Sequence, residues 1–374
     1  MPNICLFLYK QLAKYLRHQI NVTIMKQRLV YIDVLRGICI FVVAYTHFVQ
    51  FCINDAPKTG IHQFLTLLFL QMFFFISGFV GYKDSEKWSL SEFKVFLLKK
   101  INTLFIPTIC SMSLYQVVTK GSLDALWNLG GIFLVPSKGG YWFTVALFLI
   151  EIVYGGIMVV TCHFKERKVV NSILMIGMLS AYLLNKTSLP KGDVADVFCL
   201  SGVLYYFPLF LFGVLCRKEH DIFQKLIINR WIQLVLLGVL VVSLTTNMVP
   251  LIVQSVVICL VAYYVVKDFC EKIKENNEVI VGSLARKTVS MLSVIGRYTL
   301  QIYFLHFMLL FRLPNSVCVY LEQSHVQTCY GHAFSNVIEF LIIGSCSLLL
   351  CLLSIGVSLV IKQLPFCHKL LFGK

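Results

Sequence analysis

The sequence predicts an all-α, polytopic integral membrane protein: a bundle of about ten transmembrane helices with both termini in the cytoplasm. Three observations predict it. Hydrophobic residues make up 58% of the 374-residue chain and charged residues only 14%, with a mean hydropathy of +0.80; a soluble chain carries about a quarter charged residues. Apolar runs of about 17 to 25 residues, the length that crosses a bilayer core as a helix, recur along the whole chain. The basic residues between those runs fall on alternate loops, the signature of the positive-inside rule.

The apolar runs cover residues 31–52, 63–82, 101–118, 141–162, 169–185, 198–216, 231–247, 249–266, 291–311 and 337–361. A tight turn at Met248-Val249-Pro250 separates the seventh from the eighth. Pro250 suits the opening of a helix, where its missing N–H would have no intrahelical partner anyway. With the N-terminus inside, the inner loops and tails hold 25 of the 33 Lys and Arg residues. The outer loops hold six, namely Lys58, Lys120, Lys138, Lys186, Lys191 and Arg312, and Arg36 and Arg297 lie within spans. The formal net charge of +15 therefore reports membrane topology rather than a nucleic-acid surface, and no nucleic-acid partner is expected.

Residues 26–361 read as one membrane domain, without an internal repeat or a polar insertion long enough to fold by itself. Residues 1–25 form an extension. Its stretch ICLFLYKQLAKYLRHQI (4–20) suits an interfacial amphipathic helix, or else translation begins at Met25. Residues 362–374 form a cytoplasmic tail. The fourteen cysteines are scattered, with no CxxC pair and no Cys/His cluster at zinc-ligand spacing, so no metal site is expected. Cys318 and Cys329 share a loop and could pair if it faces an oxidising compartment.

The first span, YIDVLRGICIFVVAYTHFVQF (31–51), carries the most informative pair, Arg36 and His47. Eleven residues on a helix advance about 1100°, so the two side chains share one face, roughly 16 Å apart along the axis. Ionisable groups at such depth are costly, which makes a functional site the default reading. The alternative is a snorkelling interfacial Arg and a His satisfied by a neighbouring helix.

This segment resembles the opening of the acyltransferase-3 family of membrane O-acyltransferases, whose hallmark is an Arg and a His with ten residues between them in the first span. Four further segments resemble the family in order. FFFISGFVGY (73–82) is similar to its Phe-Phe-x-x-Ser-Gly-Phe element, and GGYWFTVALFLIEIVY (139–154) to its Trp-Phe-led span. YYFPLFLFGVL (205–215) is similar to its Phe-Pro-x-Phe-x-x-Gly element, and IGRYTLQIYFLH (295–306) to its Gly-x-x-Ser/Thr-Leu-x-Ile-Tyr-x-x-His segment. The resemblance covers about residues 26–361 and looks closest to the fucose 4-O-acetylase-like branch, in a stand-alone form. One position departs from the pattern. Of two basic residues expected three apart before the third-span Ile-Pro, the downstream one is Thr103 in LLKKINTLFIP (97–107). A donor phosphate bound by that pair would need a substitute here.

The resemblance implies an O-acetyltransferase of the bacterial inner membrane that carries an acetyl group from acetyl-coenzyme A to a sugar hydroxyl. The acceptor would be a cell-surface glycan or a lipid-linked intermediate, and no tightly bound cofactor is implied. Such chemistry needs a base for the hydroxyl proton and positive charge for the oxyanion and the donor phosphates. His47 is the candidate base. Arg36, Lys99 and Lys100 form a candidate donor-binding rim on the cytoplasmic side, with Arg36 also placed for the oxyanion.

Other residues have paired readings. Asp33, one turn before Arg36, either orients it or makes an ordinary interfacial ion pair. Ser77 and Gly78 serve a ligand or close helix packing. Glu151, in mid-span, is expected to pair with His47, His306 or Arg297. Tyr303 and His306 share one face of the ninth span and support the site by packing or by orienting a catalytic group. Trp142 is an interfacial belt residue or a platform for a sugar ring. Two rival functions use the same residues: a secondary transporter with buried Arg, His and Glu on its path, or an inactive membrane scaffold.

A reporter active only outside the cytoplasm tests the topology. Fused after Lys138 or Lys191 it should be active, and fused after Arg217 or at Lys374 silent. The reverse pattern at two or more of these sites would overturn the ten-span arrangement.

Overall fold

The computed structural model describes residues 29–52, 60–83, 88–123, 129–135, 137–164, 166–187, 193–246, 249–275, 281–328 and 333–373. The N-terminal extension and Cys329 lie outside the described residues. Every regular element described is a helix, as expected where a bilayer offers no solvent to satisfy backbone groups. In chain order these are α1 (Val30–Cys52), α2 (Gly60–Gly81), α3 (Leu90–Lys100), a π-helical turn (Ile101–Phe105), α4 (Ile106–Lys120), α5 (Leu129–Leu134) and α6 (Trp142–Thr161). Then follow α7 (Arg167–Lys186), α8 (Asp193–Val197), α9 (Leu200–Lys218), α10 (His220–Ile228), α11 (Arg230–Thr245) and α12 (Leu251–Glu275). The last five are α13 (Val281–Arg297), α14 (Thr299–Leu309), α15 (Asn315–Thr328), α16 (Ala333–Ile361) and α17 (Pro365–Phe372).

Among the described residues, seven helical segments are long and apolar enough to cross a membrane. An eighth is counted if α10 and α11, bent by 75° about Asn229, make one span. Asn229 terminates one helix and caps the next, its side chain accepting from the N–H groups of Trp231 and Ile232. The third span is longer than the apolar run suggested. It extends from Leu90 to Lys120, opened by Ser89, whose hydroxyl accepts from the Glu92 N–H at 3.1 Å.

The predicted ninth span, 291–311, is two helices. It breaks at Tyr298, between α13 and α14. Two features lie beside the break. Gly296 is drawn into backbone contact with α1, and the Thr299 hydroxyl takes the Gly296 carbonyl at 2.7 Å, in competition with the helix ladder.

Two glycine contacts set the bundle. A Cβ on Gly37 would stand 2.1 Å from the Leu292 carbonyl oxygen, and one on Gly296 would stand 1.7 Å from that of Asp33. These two glycines let α1 and α13 touch backbone to backbone. In the same way Gly78 meets the Phe210 carbonyl and Gly213 that of Phe75, which brings α2 against α9. Gly78 is thus a packing residue. Around these crossings lies an aromatic core that includes Phe74, Phe75, Phe79, Phe210 and Tyr263.

The loop before α6 is tied to α14 by two reciprocal bonds: Tyr303 OH donates to Gly140 O at 2.9 Å, and Tyr141 OH donates to Phe304 O at 3.0 Å. Gly140 (φ +96°) packs where a Cβ would lie 2.1 Å from the Phe307 ring. Lys138, which sequence assigns to a solvated outer loop, is fully buried. Its ammonium donates to the carbonyls of Phe133 and Asp196 at 2.6 Å each, and to that of Val135 at 3.3 Å. Three backbone carbonyls at or just past the ends of short helices thereby replace its hydration.

Adding one methyl at either glycine crossing should force the helices apart, at a cost of about 1 to 3 kcal/mol. Gly37→Ala and Gly78→Ala should each lower the detergent-solubilised melting temperature. Gly238→Ala, with open space around it, should not. Equal melting of all three would refute the close contacts.

Candidate active site

The break at Tyr298 opens a cavity of about 310 Å³ against α1. Its walls come from α1 (Arg36, Ile40), α2 (Phe73, Ser77), α6 (Phe143, Leu147) and the segment from Gly296 to Tyr303. Helical spacing brings the α1 and α2 residues onto one face: Arg36 and Ile40 are four apart, as are Phe73 and Ser77. Among the described residues, the cavity walls contain two arginines and no carboxylate. Asp33, expected beside Arg36, is 4% exposed and is not part of the wall.

His47 sits higher on α1, in ring contact with α14. Its imidazole stacks on His306 with centroids 5.2 Å apart and tilts against Phe307 at 4.6 Å. The link to the cavity is Tyr303, which lines it and whose ring lies 5.6 Å from that of His306. Sequence placed His306 and Tyr303 on one helix face. The structure adds that this face meets His47.

Hydrogen bonds fix the tautomers of both imidazoles. A carbonyl can only accept, so the 2.6 Å contact between His306 Nδ1 and Tyr303 O puts a proton on Nδ1. His306 Nε2 then carries the lone pair; it is buried and has no hydrogen-bond partner. For His47, Nδ1 lies 3.1 Å from Gln50 Oε1, again an acceptor, so the basic lone pair falls on Nε2. Two imidazoles with Nδ1 held by local acceptors are thereby set side by side.

Glu151 has a different partner from those expected. It pairs with Lys100, at 2.5 Å between Nζ and Oε1, rather than with His47, His306 or Arg297. The reason is the π-helical turn. It shifts α3 in phase relative to α4, so that Lys100 turns inward beside α6 while Lys99 stays exposed. Thr103, within that turn, donates its hydroxyl to the Lys99 carbonyl at 2.8 Å. Lys100 is thus engaged by a buried carboxylate, and neither lysine lines the cavity. Trp142 is half-buried, its ring 5.9 Å from that of Tyr206, and it also stands off the cavity wall.

Sequence reasoning singled out Arg36, Ser77 and Tyr303 in this cavity but not Arg297, Gln301 or Phe143. For Arg297 a signal existed: an ionisable residue inside an apolar run is costly by default. Gln301 and Phe143 gave none, because a lone amide or ring in a span is ordinary.

The Glu151 carboxylate is 5% exposed and the Lys100 side chain 21%, so the two halves of the pair should respond differently. Lys100→Met strands a buried charge and should cost about 3 to 5 kcal/mol. Glu151→Gln should cost less, because Lys100 keeps a route to water. Lys100→Met/Glu151→Leu should recover much of the first loss. Thermal unfolding in detergent measures this; no recovery in the double variant would reject the pair.

Comparison with known proteins identifies the family of the chain. No curated protein and no solved structure matches the chain. A family model does: the acyltransferase 3 model, described as an acyltransferase domain, matches residues 29–356. That match takes in the glycine crossings, the cavity, both histidines and the Lys100–Glu151 pair, and the chain belongs to this acyltransferase family.

Proposed function

We propose that this multi-pass membrane acyltransferase is an O-acetyltransferase of the bacterial inner membrane. It would move an acetyl group from acetyl-coenzyme A to a sugar hydroxyl of a cell-surface glycan or lipid-linked intermediate. The observation that carries the reading is one arrangement around α14: a cavity lined by Arg36 and Arg297 and bordered by Tyr303, whose ring lies 5.6 Å from that of His306, which stacks on His47.

In this reading His47 Nε2 takes the proton of the acceptor hydroxyl as its oxygen attacks the thioester carbonyl. Arg36 lines the cavity about three helical turns from His47, so in this reading its guanidinium holds the donor's phosphates rather than the oxyanion. Collapse of the tetrahedral intermediate breaks the C–S bond, and the proton held on His47 neutralises the leaving thiolate. His306, stacked on His47 and fixed through Nδ1, orients the base and keeps water from its ring face. The basic bias of the loops supports a cytoplasmic position for Arg36, the side on which acyl-coenzyme A is made.

His47→Ala should lower turnover by about 10²- to 10⁴-fold with donor affinity nearly retained. Arg36→Ala should weaken donor binding about tenfold or more, and Arg36→Lys should restore only part of it, since Lys keeps the charge but lacks the planar fork. Release of labelled acetyl from acetyl-coenzyme A, measured beside donor binding by calorimetry, separates these effects. Transfer at the parent rate by His47→Ala would reject the assignment.

A further inference from the structure

We propose that the N-terminal turn of α14, with Arg297 and Gln301, forms a phosphate-binding subsite on the cavity wall. The identity of its ligand rests on the acyltransferase reading above; the existence of the site does not.

Four observations converge on this wall. Arg297 is the last residue of α13 and projects into the cavity with no hydrogen bond or ion pair to any described residue. Gln301 is only 6% exposed, yet its amide lines the same cavity and has no hydrogen-bond partner among the described residues. Its amide reaches the open space of the cavity, where a ligand can meet it. Thr299, Leu300 and Gln301 form the first turn of α14 and all line the cavity. Tyr298, at the cap position, offers no side-chain hydrogen bond to that turn. The first N–H groups of a helix lack intrahelical acceptors, and with the helix dipole they favour an anion.

Charge agrees with the donor pattern. Arg36 lines the same space, and no carboxylate among the described residues lines it. Even with Asp33, one turn from Arg36, counted against it, the cavity keeps a net positive charge. The Arg297 guanidinium can take two phosphate oxygens at once, while Gln301 and the helix N–H groups donate to others. A diphosphate fits this donor set better than a carboxylate, which presents only two oxygens.

A diphosphate could come from the coenzyme A donor or from a polyprenyl diphosphate acceptor. The test uses full-length protein in detergent, with calorimetric binding of acetyl-coenzyme A, S-acetylpantetheine (which lacks the phosphates), farnesyl diphosphate and inorganic pyrophosphate. The variants are Arg297→Gln, Arg297→Lys and Gln301→Leu, each checked for monodispersity.

If the donor fills the subsite, Arg297→Gln should weaken acetyl-coenzyme A about tenfold or more, leave S-acetylpantetheine unchanged and weaken pyrophosphate in parallel. Arg297→Lys should restore part of the loss, and Gln301→Leu should show a smaller one. Loss of farnesyl diphosphate binding with acetyl-coenzyme A unchanged would support the subsite and assign it to the acceptor. Pyrophosphate binding that depends on Arg297, without acetyl transfer by the parent, would keep the subsite and sink the acyltransfer reading. Parent-like binding of all three phosphate probes by Arg297→Gln and Gln301→Leu would overturn the subsite while leaving that reading intact. Failure of the parent to bind any of the three would overturn it as well.

Discussion

Helices α1 and α13 meet with no side chain between them, because Gly37 and Gly296 stand where each faces the other helix's carbonyls. Inside a bilayer, association has little hydrophobic drive, and close backbone packing supplies much of what holds helices together. Just past this crossing the helix is interrupted: α13 ends at Arg297 and α14 restarts at Thr299. The restart leaves the cavity, points a fresh helix N-terminus into it, and sends α14 past α1 so that His306 reaches His47. Arg36 and His47, on one helix, thus acquire a common opposite wall from a single interruption.

The C-terminal part of α14 is held by a different device. Tyr303 and Tyr141 exchange hydrogen bonds with each other's segments, and Gly140 seats Phe307, whose ring lies 4.1 Å from that of His306. Buried Lys138 locks the loop from which Tyr141 and Gly140 come by binding the ends of α5 and α8. The imidazole pair therefore rests on a floor fixed by backbone carbonyls rather than by apolar contact alone.

The all-helical class, the predicted helical regions and the shared face of Arg36 and His47 were legible in the sequence, because each follows from apolar run length or from the 3.6-residue period. Glu151 was legible as a buried acid in need of a partner, but not the partner itself. Lys99 and Lys100 are adjacent and differ by about 100° around the helix, so composition cannot say which turns inward. The break at Tyr298 was hidden too: residues 291–311 are apolar enough on average to read as one rod, and no proline or turn sequence marks the interruption. The Arg297 and Gln301 wall depends on that break and was hidden with it.

The π-helical turn at Ile101–Phe105 is, in helical terms, a single surplus residue: Ile106 reaches back to the carbonyl of Ile101, five positions away, where an α-helix would reach back four. Everything from Leu90 to Lys100 is therefore one residue out of phase with everything from Ile106 onward. Helix α17 is seated on this turn, with Gly373 packed against the Asn102 carbonyl and Thr103, so the surplus is held in place from outside as well. The basic residues of α3 and the Pro107 that opens α4 thus belong to two separate reading frames. A one-residue gap or insertion in an alignment of this stretch is a rotation of a whole helix, not noise, and spacing across it does not measure what the same spacing measures elsewhere in the chain.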